Sequence, residues 1–383
     1  MSWDFKTLDE LGKVARGKSK HRPRNDKRLF GGIYPFIQTA DVKKANFYIY
    51  EYSETYNEIG LAQSKLWDAG TLCITIAANI ADTGILSMPA CFPDSIMGFI
   101  PYDDISDVRF IKYCFDILQR KCKQISQGTA QDNLSWEKLS TIKFPAPPLK
   151  IQCRIAEVLS RYDSLIENYQ KQIKLLEEAA QRLYKEWFVD LRFPGYENTK
   201  IVDGVPEGWE KKCLGDFCFI FTGKKNASSG IKNGKYKFFT CGDKPLSINS
   251  YIYDGAAIII SGNGSYTGRT TFFKGKFDLY QRTYACAIKP GFNNNYIYGL
   301  YEFVNSELTS KISGGTHGAA VPYIVMSDLT GFTFLYNKYV FLKFSSIIKK
   351  NLLETIKLID RIQLLTEARD RLLPKLMSGE IEV

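Results

Sequence analysis

The residues of this chain best placed to do chemistry form a dense basic run near its start. Residues 13–28 contain a single acid, Asp26. The basic residues in the same stretch are Lys13, Arg16, Lys18, Lys20, His21, Arg22, Arg24, Lys27 and Arg28. Pro23 and the absence of an apolar period indicate an exposed loop, which could lie along phosphates. The alternative is a solvated, mobile loop without a partner.

A weaker basic cluster recurs in the second half of the chain, after a second Gly-Lys pair. Its members are Lys224, Lys225, Lys232, Lys235 and Lys237. Recurrence at an equivalent place favours a common function for the two clusters. The formal net charge of +10 agrees with a polyanionic partner.

A glycine-rich segment in the second half carries residues that could contact bases. Residues 261–269 read Ser-Gly-Asn-Gly-Ser-Tyr-Thr-Gly-Arg and follow an apolar run at 256–260. Because neither GxGxxG nor a following GK[ST] is present, the segment is typical of a turn rather than a nucleotide-binding loop. Tyr266 and Arg269 could stack on bases or hydrogen-bond to base edges.

Motifs that would indicate an enzyme are missing from the sequence. We find no Walker A loop, HExxH, GxSxG or Asn-Pro-Pro-Tyr amine-methylation motif, and no nuclease-type pattern of paired carboxylates with a nearby lysine. The two histidines, His21 and His317, and nine cysteines without a CxxC favour buried thiols over a metal site. No membrane span or signal peptide is evident. We therefore expect a cytoplasmic, metal-free binding protein.

The sequence is duplicated at long range. Residues 173–183 recur 189 residues later as residues 362–372. Shorter matches pair Trp3 with Trp209 at the two openings, Gly17-Lys18 with Gly223-Lys224, Tyr34, Phe36 and Asp41 with Tyr236, Phe238 and Asp243, Thr83-Gly84 with Thr267-Gly268, and Gly128-Thr129 with Gly315-Thr316. A repeat of this period predicts two homologous halves related by pseudo-two-fold symmetry.

The best periodicity of the chain predicts a long helix between the halves. Apolar and aromatic residues recur at spacings of four and three, as Ile155, Leu159, Tyr162, Ile166, Tyr169, Ile173, Leu176, Ala180, Leu183 and Trp187. A second stripe near the C-terminus comprises Leu358, Ile362, Leu365, Leu372 and Leu376, with Arg369 where Ala180 stands in the first. We expect the two helices to pair antiparallel and to span about 50 Å. A packed hairpin with no spacing role is the alternative.

Strand-like and helix-like runs complete a mixed α/β architecture of two globular domains separated by the helical pair. Strand signals occur at residues 32–39, 71–77 and 256–260, and a helical signal occurs at 108–125. The predicted boundaries are 1–148 for the first domain, 149–192 for the central helix, 193–339 for a linker and the second domain, and 340–383 for the C-terminal helix.

Taken together, these residues resemble the specificity subunits of type I restriction-modification systems. The resemblance is carried by the two openings, by Pro147-Pro148-Leu149 with Gln152, by Leu-Tyr-Lys-Glu-Trp-Phe-Val-Asp at 183–190, and by Leu-Pro-Lys-Leu-Met-Ser-Gly-Glu-Ile at 373–381. The chain departs from the family pattern at Ile151, where an acid is usual, and in lacking a Pro-Pro-Leu start before the second long helix.

The resemblance implies a non-catalytic subunit that reads double-stranded DNA. Each target recognition domain would read one half of a bipartite, gapped target, and the spacer helices would set the gap and dock two DNA methyltransferase subunits. Restriction and translocase subunits would join the full complex. The chain would bind no cofactor, because S-adenosylmethionine and ATP would belong to the partner subunits of a prokaryotic cytoplasmic complex.

Residue roles follow from side-chain chemistry within that family assignment. Phosphate contacts are expected at Lys18, Lys20, Arg22, Arg24, Lys224 and Lys225. Base contacts are expected in the loops around Thr83, Gln131, Tyr266, Arg269, His317 and Tyr323.

Three alternatives stay open on sequence grounds. A coiled-coil scaffold whose domains bind proteins predicts no salt-sensitive DNA affinity. An enzyme in its own right predicts methyl transfer or cleavage by the purified chain. A silent subunit that assembles without reading DNA has the same sequence features as an active one.

Overall fold

A computed structural model describes residues 3–76, 81–125, 136–313 and 323–383. The chain forms two compact units. Unit 1 comprises Met1–Gln170 with Ile359–Val383, and unit 2 comprises Lys171–Leu358. Each unit therefore contains a stretch of both long helices in addition to its own sheet.

The strands of unit 1 are β1 Asp4–Lys6, β2 Gly12–Arg16, β3 Phe30–Phe36, β4 Tyr48–Ile49, β5 Glu54–Tyr56, β6 Leu66–Trp67, β7 Leu72–Thr75, β8 Thr83–Leu86, β9 Ala90–Cys91, β10 Ile96–Pro101 and β11 Phe144–Ala146. They form two small sheets with strand orders β2-β10-β7-β8-β4 and β5-β3-β9-β6, and the antiparallel pair β1-β11. The helices of unit 1 are α1 Leu8–Leu11, α2 Thr39–Lys44, α3 Glu58–Ala62, α4 Val108–Ile125 and α5 Trp136–Thr141, with a short helical turn at Lys27–Leu29. The first long helix, α6, is Leu149–Tyr184.

Unit 2 has one six-stranded sheet with strand order β15-β20-β18-β19-β16-β17. The strands are β12 Ile201–Val202, β13 Val205–Pro206, β14 Glu210–Cys213, β15 Cys218–Thr222, β16 Tyr236–Phe239, β17 Leu246–Ile248, β18 Tyr253–Ser261, β19 Thr270–Leu279, β20 Thr283–Ile288 and β21 Thr333–Tyr336. The helices are α7 Leu214–Phe217, α8 Tyr296–Ser313, α9 Met326–Thr330 and α10 Lys338–Met377, with short turns at Tyr196–Asn198 and Ala227–Ser229.

Strand register shows that the two units share one topology. In unit 1, Arg16 faces Met97 and Thr75 faces Ile96. In unit 2, Thr222 faces Tyr284 and Ser261 faces Thr283 in the same pattern. The parallel pairs Phe36 with Cys91 and Phe238 with Asp278 correspond as well. The duplication read from the sequence is therefore confirmed, and β18 and β19 correspond to β6–β7 and β8–β9.

The predicted strand at 256–260 is confirmed, and both of its faces are buried. Along β18, Ile258 and Ile260 pack in the core that includes α8, whereas Ala257 and Ile259 pack in a second cluster with Phe277. A strand buried on both faces reads as an unbroken apolar run, which explains the sequence pattern. The predicted helix at residues 108–125 is confirmed as α4.

The apolar stripe of the first long helix forms its inner face. Within unit 1, Ile155, Leu159 and Ile166 are buried and Tyr162 and Tyr169 are partly buried. Within unit 2, Ala180 and Trp187 are buried, and the remaining stripe positions Ile173, Leu176 and Leu183 are partly buried. The α-helix ends at Tyr184 and passes into a π-helical turn, Lys185–Val189.

The long helices run antiparallel in unit 1, as the stripes predict. Asp163 pairs with Arg369, and Tyr169 lies 5.9 Å from the guanidinium of Arg361, so the chain numbers change in opposite directions. Of the second stripe in unit 1, Leu376 is buried and Ile362, Leu365 and Leu372 are partly buried.

The starts of the two long helices use different caps. Gln152 is almost completely buried, and its amide donates to the carbonyl of Pro147 at 2.8 Å and of Ile105 at 2.9 Å. The second helix lacks the Pro-Pro start, and Asn337 replaces it, because its side-chain oxygen accepts from the N–H groups of Tyr339 and Val340. This places the start of α10 at Lys338.

Candidate nucleic-acid interface

The basic loop of unit 1 is held against its neighbours. It leaves β2 at Gly17, and the N–H of Lys18 donates to the carbonyl of Phe92 at 3.0 Å. Ser64 donates to the carbonyl of Lys18 at 2.7 Å, and the N–H of His21 donates to Gln63 at 3.0 Å. The start of the loop is therefore tied to neighbouring segments by hydrogen bonds, while residues 22–25, 27 and 28 are exposed.

The charges of this loop exceed the acids that face them. Arg24 forms an ion pair with Asp94 at 2.6 Å, and Arg22 reaches the same carboxylate at 4.0 Å, with both guanidiniums about half exposed. Hydrogen bonds from Arg28 and His21 hold the pKa of Asp26 far below its ordinary value, so this acid stays ionised. Lys20 is exposed and Lys18 is partly buried. Two arginines thus share one carboxylate and keep a net positive charge.

The corresponding segment of unit 2 contains one exposed and one internally bound lysine. Lys224 is exposed, whereas the ammonium of Lys225 contacts Ser250 and lies 2.8 Å from Asp278. Burial opposes ionisation of Asp278, but the hydrogen bonds from Lys225 and Ser250 outweigh it and hold the pKa of this carboxyl below its ordinary value. Lys225 therefore anchors the segment, and Lys224 is its exposed cation.

The two Gly-Lys pairs occupy equivalent turns that require glycine. A β-carbon at Gly17 would collide with the carbonyl of Phe92, and one at Gly223 would collide with that of Leu279. Phe92 lies four residues before Ile96, the first residue of β10, and Leu279 lies four residues before Thr283, the first residue of β20. Because β10 and β20 are equivalent strands, Phe92 and Leu279 are equivalent residues. The match of Gly17-Lys18 with Gly223-Lys224 is therefore confirmed.

The glycine-rich segment of unit 2 is a tight turn at the C-terminal end of β18, beside the Gly223-Lys224 turn that follows β15. We refer to this end of the sheet, and to its equivalent in unit 1, as the edge. The N–H of Gly262 donates to the carbonyl of Arg282 at 2.9 Å, and that of Gly268 donates to Ser261 at 2.9 Å. Arg269 stacks on Tyr266 with its guanidinium 4.5 Å from the ring centroid, and it bonds to Asp243 at 3.1 Å. The stack and the ion pair hold an arginine and an exposed tyrosine in fixed positions.

The other predicted base-contacting residues fall in different environments. Tyr323 is 38% exposed and forms a β-bridge with Asn263, so it joins the edge that holds Tyr266 and Arg269. Thr83 is the first residue of β8 and is buried. Its register equivalent is Thr270 rather than Thr267, because Thr83 faces Ile74 as Thr270 faces Ile260. Gln131 and His317 lie outside the described residues, as do Gly128-Thr129 and Gly315-Thr316.

A further turn, which carries no sequence motif, joins this edge in the structure. Gln281 and Arg282 are exposed on the connection between β19 and β20. The N–H of Gln281 donates to Lys225 at 3.0 Å, and its carbonyl accepts from Thr222 at 3.0 Å. Spacing in the sequence does not reveal it, because the equivalent position of unit 1, Asp94, lies 77 residues after Gly17, whereas Gln281 lies 58 residues after Gly223.

Comparison with known proteins assigns the family. The family model "Type I restriction modification DNA specificity domain" matches residues 1–178 and 206–334. The chain therefore belongs to this family and is a specificity subunit, a non-catalytic protein that recognises DNA sequence. This confirms the family resemblance and the mixed α/β fold expected from the sequence.

Individual relatives agree with this assignment. The type I restriction enzyme MjaIX specificity subunit of Methanocaldococcus jannaschii is 28% identical, over 100% of this chain and 94% of its own length. The EcoDI specificity subunit of Escherichia coli is 34% identical over 33% of this chain and 27% of its own length. The type I restriction-modification S subunit from M. genitalium matches in fold with a TM-score of 0.63 and 16% identity, covering 98% of this chain and 96% of that structure.

Metal clusters and membrane spans are both absent from the described residues. Within them, no group of three or more His, Cys, Asp or Glu side chains could hold a metal ion. None of the helices in the same ranges is long and apolar enough to cross a membrane.

Proposed function

We propose that each unit reads one half of a bipartite, gapped DNA target. The observation that carries this proposal is the duplicated edge: the same glycine turn and the same strand ends occur in both units, with different side chains around them. Two domains that share strands and turns but expose different residues suit two half-sites of different sequence. The long helices set the gap between the half-sites.

Phosphate and base contacts divide between residues of different chemistry at these edges. Lys18, Lys20, Arg22, Arg24 and Lys224 hold the backbone, because they are cations on or near exposed loops. In unit 2, Arg269, Arg282 and Gln281 read base edges, since Arg suits guanine and Gln suits adenine in the major groove. Tyr266 and Tyr323 border the same surface.

A second duplicated feature supports docking of two methyltransferase subunits. The repeat preserves Leu175, Glu178, Ala179 and Arg182 as Leu364, Glu367, Ala368 and Arg371, which share one helix face by their spacing of three and four. Leu175 is 64% exposed and Leu364 is 66% exposed. Pairing of the long helices does not require this outer face, so its recurrence indicates a second use. One copy lies in each unit, which suits two copies of one partner.

The chemistry resides in the partners in this proposal. S-adenosylmethionine would be bound by the methyltransferase subunits, and ATP by restriction and translocase subunits. The functional domains are residues 1–148 and 193–339, joined through helical spacers at 149–192 and 340–383.

Modified-base sequencing tests the proposed function. DNA from cells that express this chain with its candidate methyltransferase is compared with DNA from cells that express the methyltransferase alone. A gapped, two-part methylated-adenine motif that depends on this chain is the expected result. Copurification of the two proteins without a new motif would leave only a scaffold or silent subunit.

The docking face has its own experiment. Ala179→Glu and Ala368→Glu each place a charge at the centre of one outer face without altering the buried stripe. Each variant should bind one methyltransferase subunit in place of two, and the double variant should bind none, as measured by native mass spectrometry. Gln170→Glu, an exposed change on the same helix with none of the residues of the repeated outer face three or four positions away, is the control. Unchanged copy number in the double variant contradicts docking at this face.

A further inference from the structure

An exposed cluster of lysines and tyrosines lies on the sheet of unit 2 outside the edge described above. Tyr236 of β16 and Tyr251 pack edge to face with ring centroids 5.2 Å apart. The ammonium of Lys276, on β19, lies 4.8 Å from the centroid of Tyr251. Tyr251 is 48% exposed, so the ring presents a face to solvent while its neighbours hold it in place.

Four lysines give this cluster its charge. Lys235, Lys237, Lys274 and Lys276 are all exposed. A shallow groove of about 540 Å³ lies beside three of them, Lys235, Lys237 and Lys276, and is also lined by Tyr236 and Phe273. Asp254 faces Lys276 across the strand pair and offsets one of the four charges. We refer to Tyr236, Tyr251 and these four lysines as the Lys-Tyr surface.

The Lys-Tyr surface is continuous with the edge of unit 2. Ser250 directly precedes Tyr251, contacts Lys225 and donates to Asp278 at 2.7 Å. Lys225 in turn follows Lys224, the exposed cation of that edge. The contacts of Lys225 and Ser250 therefore connect the segment of Lys224 to the Lys-Tyr surface.

We propose that the Lys-Tyr surface binds the DNA backbone beside the half-site read by unit 2. The inference rests on the proposed function and extends its contact area. Lysine donates to phosphate as a point charge without a planar fork, so the surface adds affinity without sequence preference. Continuity with the cationic edge favours duplex DNA over an acidic protein as the occupant.

Unit 1 has no equivalent of the two β19 lysines. Thr83 corresponds to Thr270 and Cys91 corresponds to Asp278, so the difference in residue number is the same at both ends of this stretch. The unit 1 residues equivalent to Lys274 and Lys276 are therefore Ser87 and Pro89. The contact should therefore be one-sided. A footprint of the complex should extend further beyond the half-site of unit 2 than beyond that of unit 1.

The test compares Lys274→Ala/Lys276→Ala with wild type in the complex with its methyltransferase. The control, Lys200→Ala/Lys211→Ala, removes the same charge from exposed positions elsewhere in unit 2. We expect the Lys-Tyr variant to bind more weakly to every DNA, with a salt-dependence slope shallower by about 0.9 for each phosphate that the protein no longer neutralises. The footprint should shorten on one side, and the methylated motif should not change.

Each outcome of this test is decisive. A slope and footprint equal to those of the control overturn the proposal, and so does a changed motif, because the surface would then read bases. Failure of the proposed function is recognised separately, since wild type would then show no methylated motif and no salt-sensitive DNA binding. Equal thermal unfolding midpoints for both double variants exclude misfolding as the cause.

Discussion

The two units share strand order and turn geometry but differ where a helix of the globular part meets the long helices. In unit 1, Asp163 is buried, accepts a hydrogen bond of 2.5 Å from Tyr113 and pairs with Arg369. Lys112 and Asp116 add a second pair at 2.7 Å. The repeat aligns Arg369 with Ala180 and Asp163 with Leu352, so unit 2 has apolar residues at the same two places.

Unit 2 buries a different polar group at this junction. Glu302 is 4% exposed and accepts a hydrogen bond from Ser306 at 3.0 Å. Burial, with a smaller effect of the nearby charge of Glu177, raises the pKa of Glu302 to about 7. One unit therefore buries a matched charge pair and the other buries a carboxyl that folding drives towards its neutral form.

This contrast teaches that two domains with the same topology can bury different polar groups at equivalent junctions. A buried ion pair is costly to desolvate, and it is maintained only while both partners are present. The edges of the sheets follow the same rule, because the glycine turns are retained while Asp94 and Gln281 occupy one equivalent position. The strands and turns are common to both units, whereas the side chains that pack against them or are exposed on them differ.

The largest expected effect comes from breaking the buried pair. Arg369→Ala leaves the charge of Asp163 without its partner and should lower the free energy of unfolding of unit 1 by about 3–5 kcal/mol. Arg369→Ala/Asp163→Leu/Tyr113→Phe imports an apolar arrangement like that of unit 2 and should recover most of this loss. Chemical denaturation measures both. Arg361→Ala, exposed on the same helix, is the control, and an equal loss there contradicts the assignment.

The pH dependence of unit 2 should follow Glu302. Because the folded pKa is raised from 4.5 to about 7, the carboxyl favours folding least when it is ionised. Stability should fall by about 3 kcal/mol as the pH rises from about 4.5 to about 7, and the loss should persist above pH 7. Glu302→Gln should abolish this slope and raise stability at pH 8. Glu197→Gln, an exposed change, should leave the slope intact; a wild-type slope in Glu302→Gln would show that another group causes it.

A smaller effect is expected from the phosphate contacts of unit 1. Arg22→Ala should weaken DNA binding by a similar factor on all sequences and reduce the salt-dependence slope by up to about 0.9, because the protein then neutralises one phosphate fewer. Titrations at several salt concentrations measure the slope. Arg192→Ala, an exposed arginine of unit 2, is the control. A loss confined to one target sequence would mean that Arg22 reads a base.

Much of the fold could be predicted because the duplication constrains it. The openings, the glycine turns and the helical stripes recur in sequence, and the strands that end at the glycine turns match in register. The sequence alone could not align the strands of the two halves throughout. Residues 37–53 of unit 1 include α2 and β4, whereas the equivalent stretch of unit 2 is the shorter segment 239–245. This insertion is one reason that matched residues of the two halves are not a constant number of positions apart, and the sequence match placed Thr83 three positions from its structural equivalent.

The site could be predicted only in part, because tertiary contacts decide which side chains are available. Lys224 and Lys225 look alike in sequence, yet Lys225 is bound to Asp278, which lies far along the chain. Arg369 looked like an interruption of an apolar stripe, and its partner Asp163 lies on the other long helix. Gln281 and Arg282 carry no motif, and only strand pairing brings them beside the glycine-rich turn.

The central claim is that each unit reads its own half-site. Modified-base sequencing of variants that change the edge of just one unit tests this claim most directly. Arg269→Ala and Arg282→Ala each remove one candidate base contact of unit 2, at a cost of about 1–3 kcal/mol of discrimination. The account predicts a methylated motif that becomes degenerate in one half and stays unchanged in the other. Degeneracy in both halves, or an unchanged motif in both variants, would contradict it.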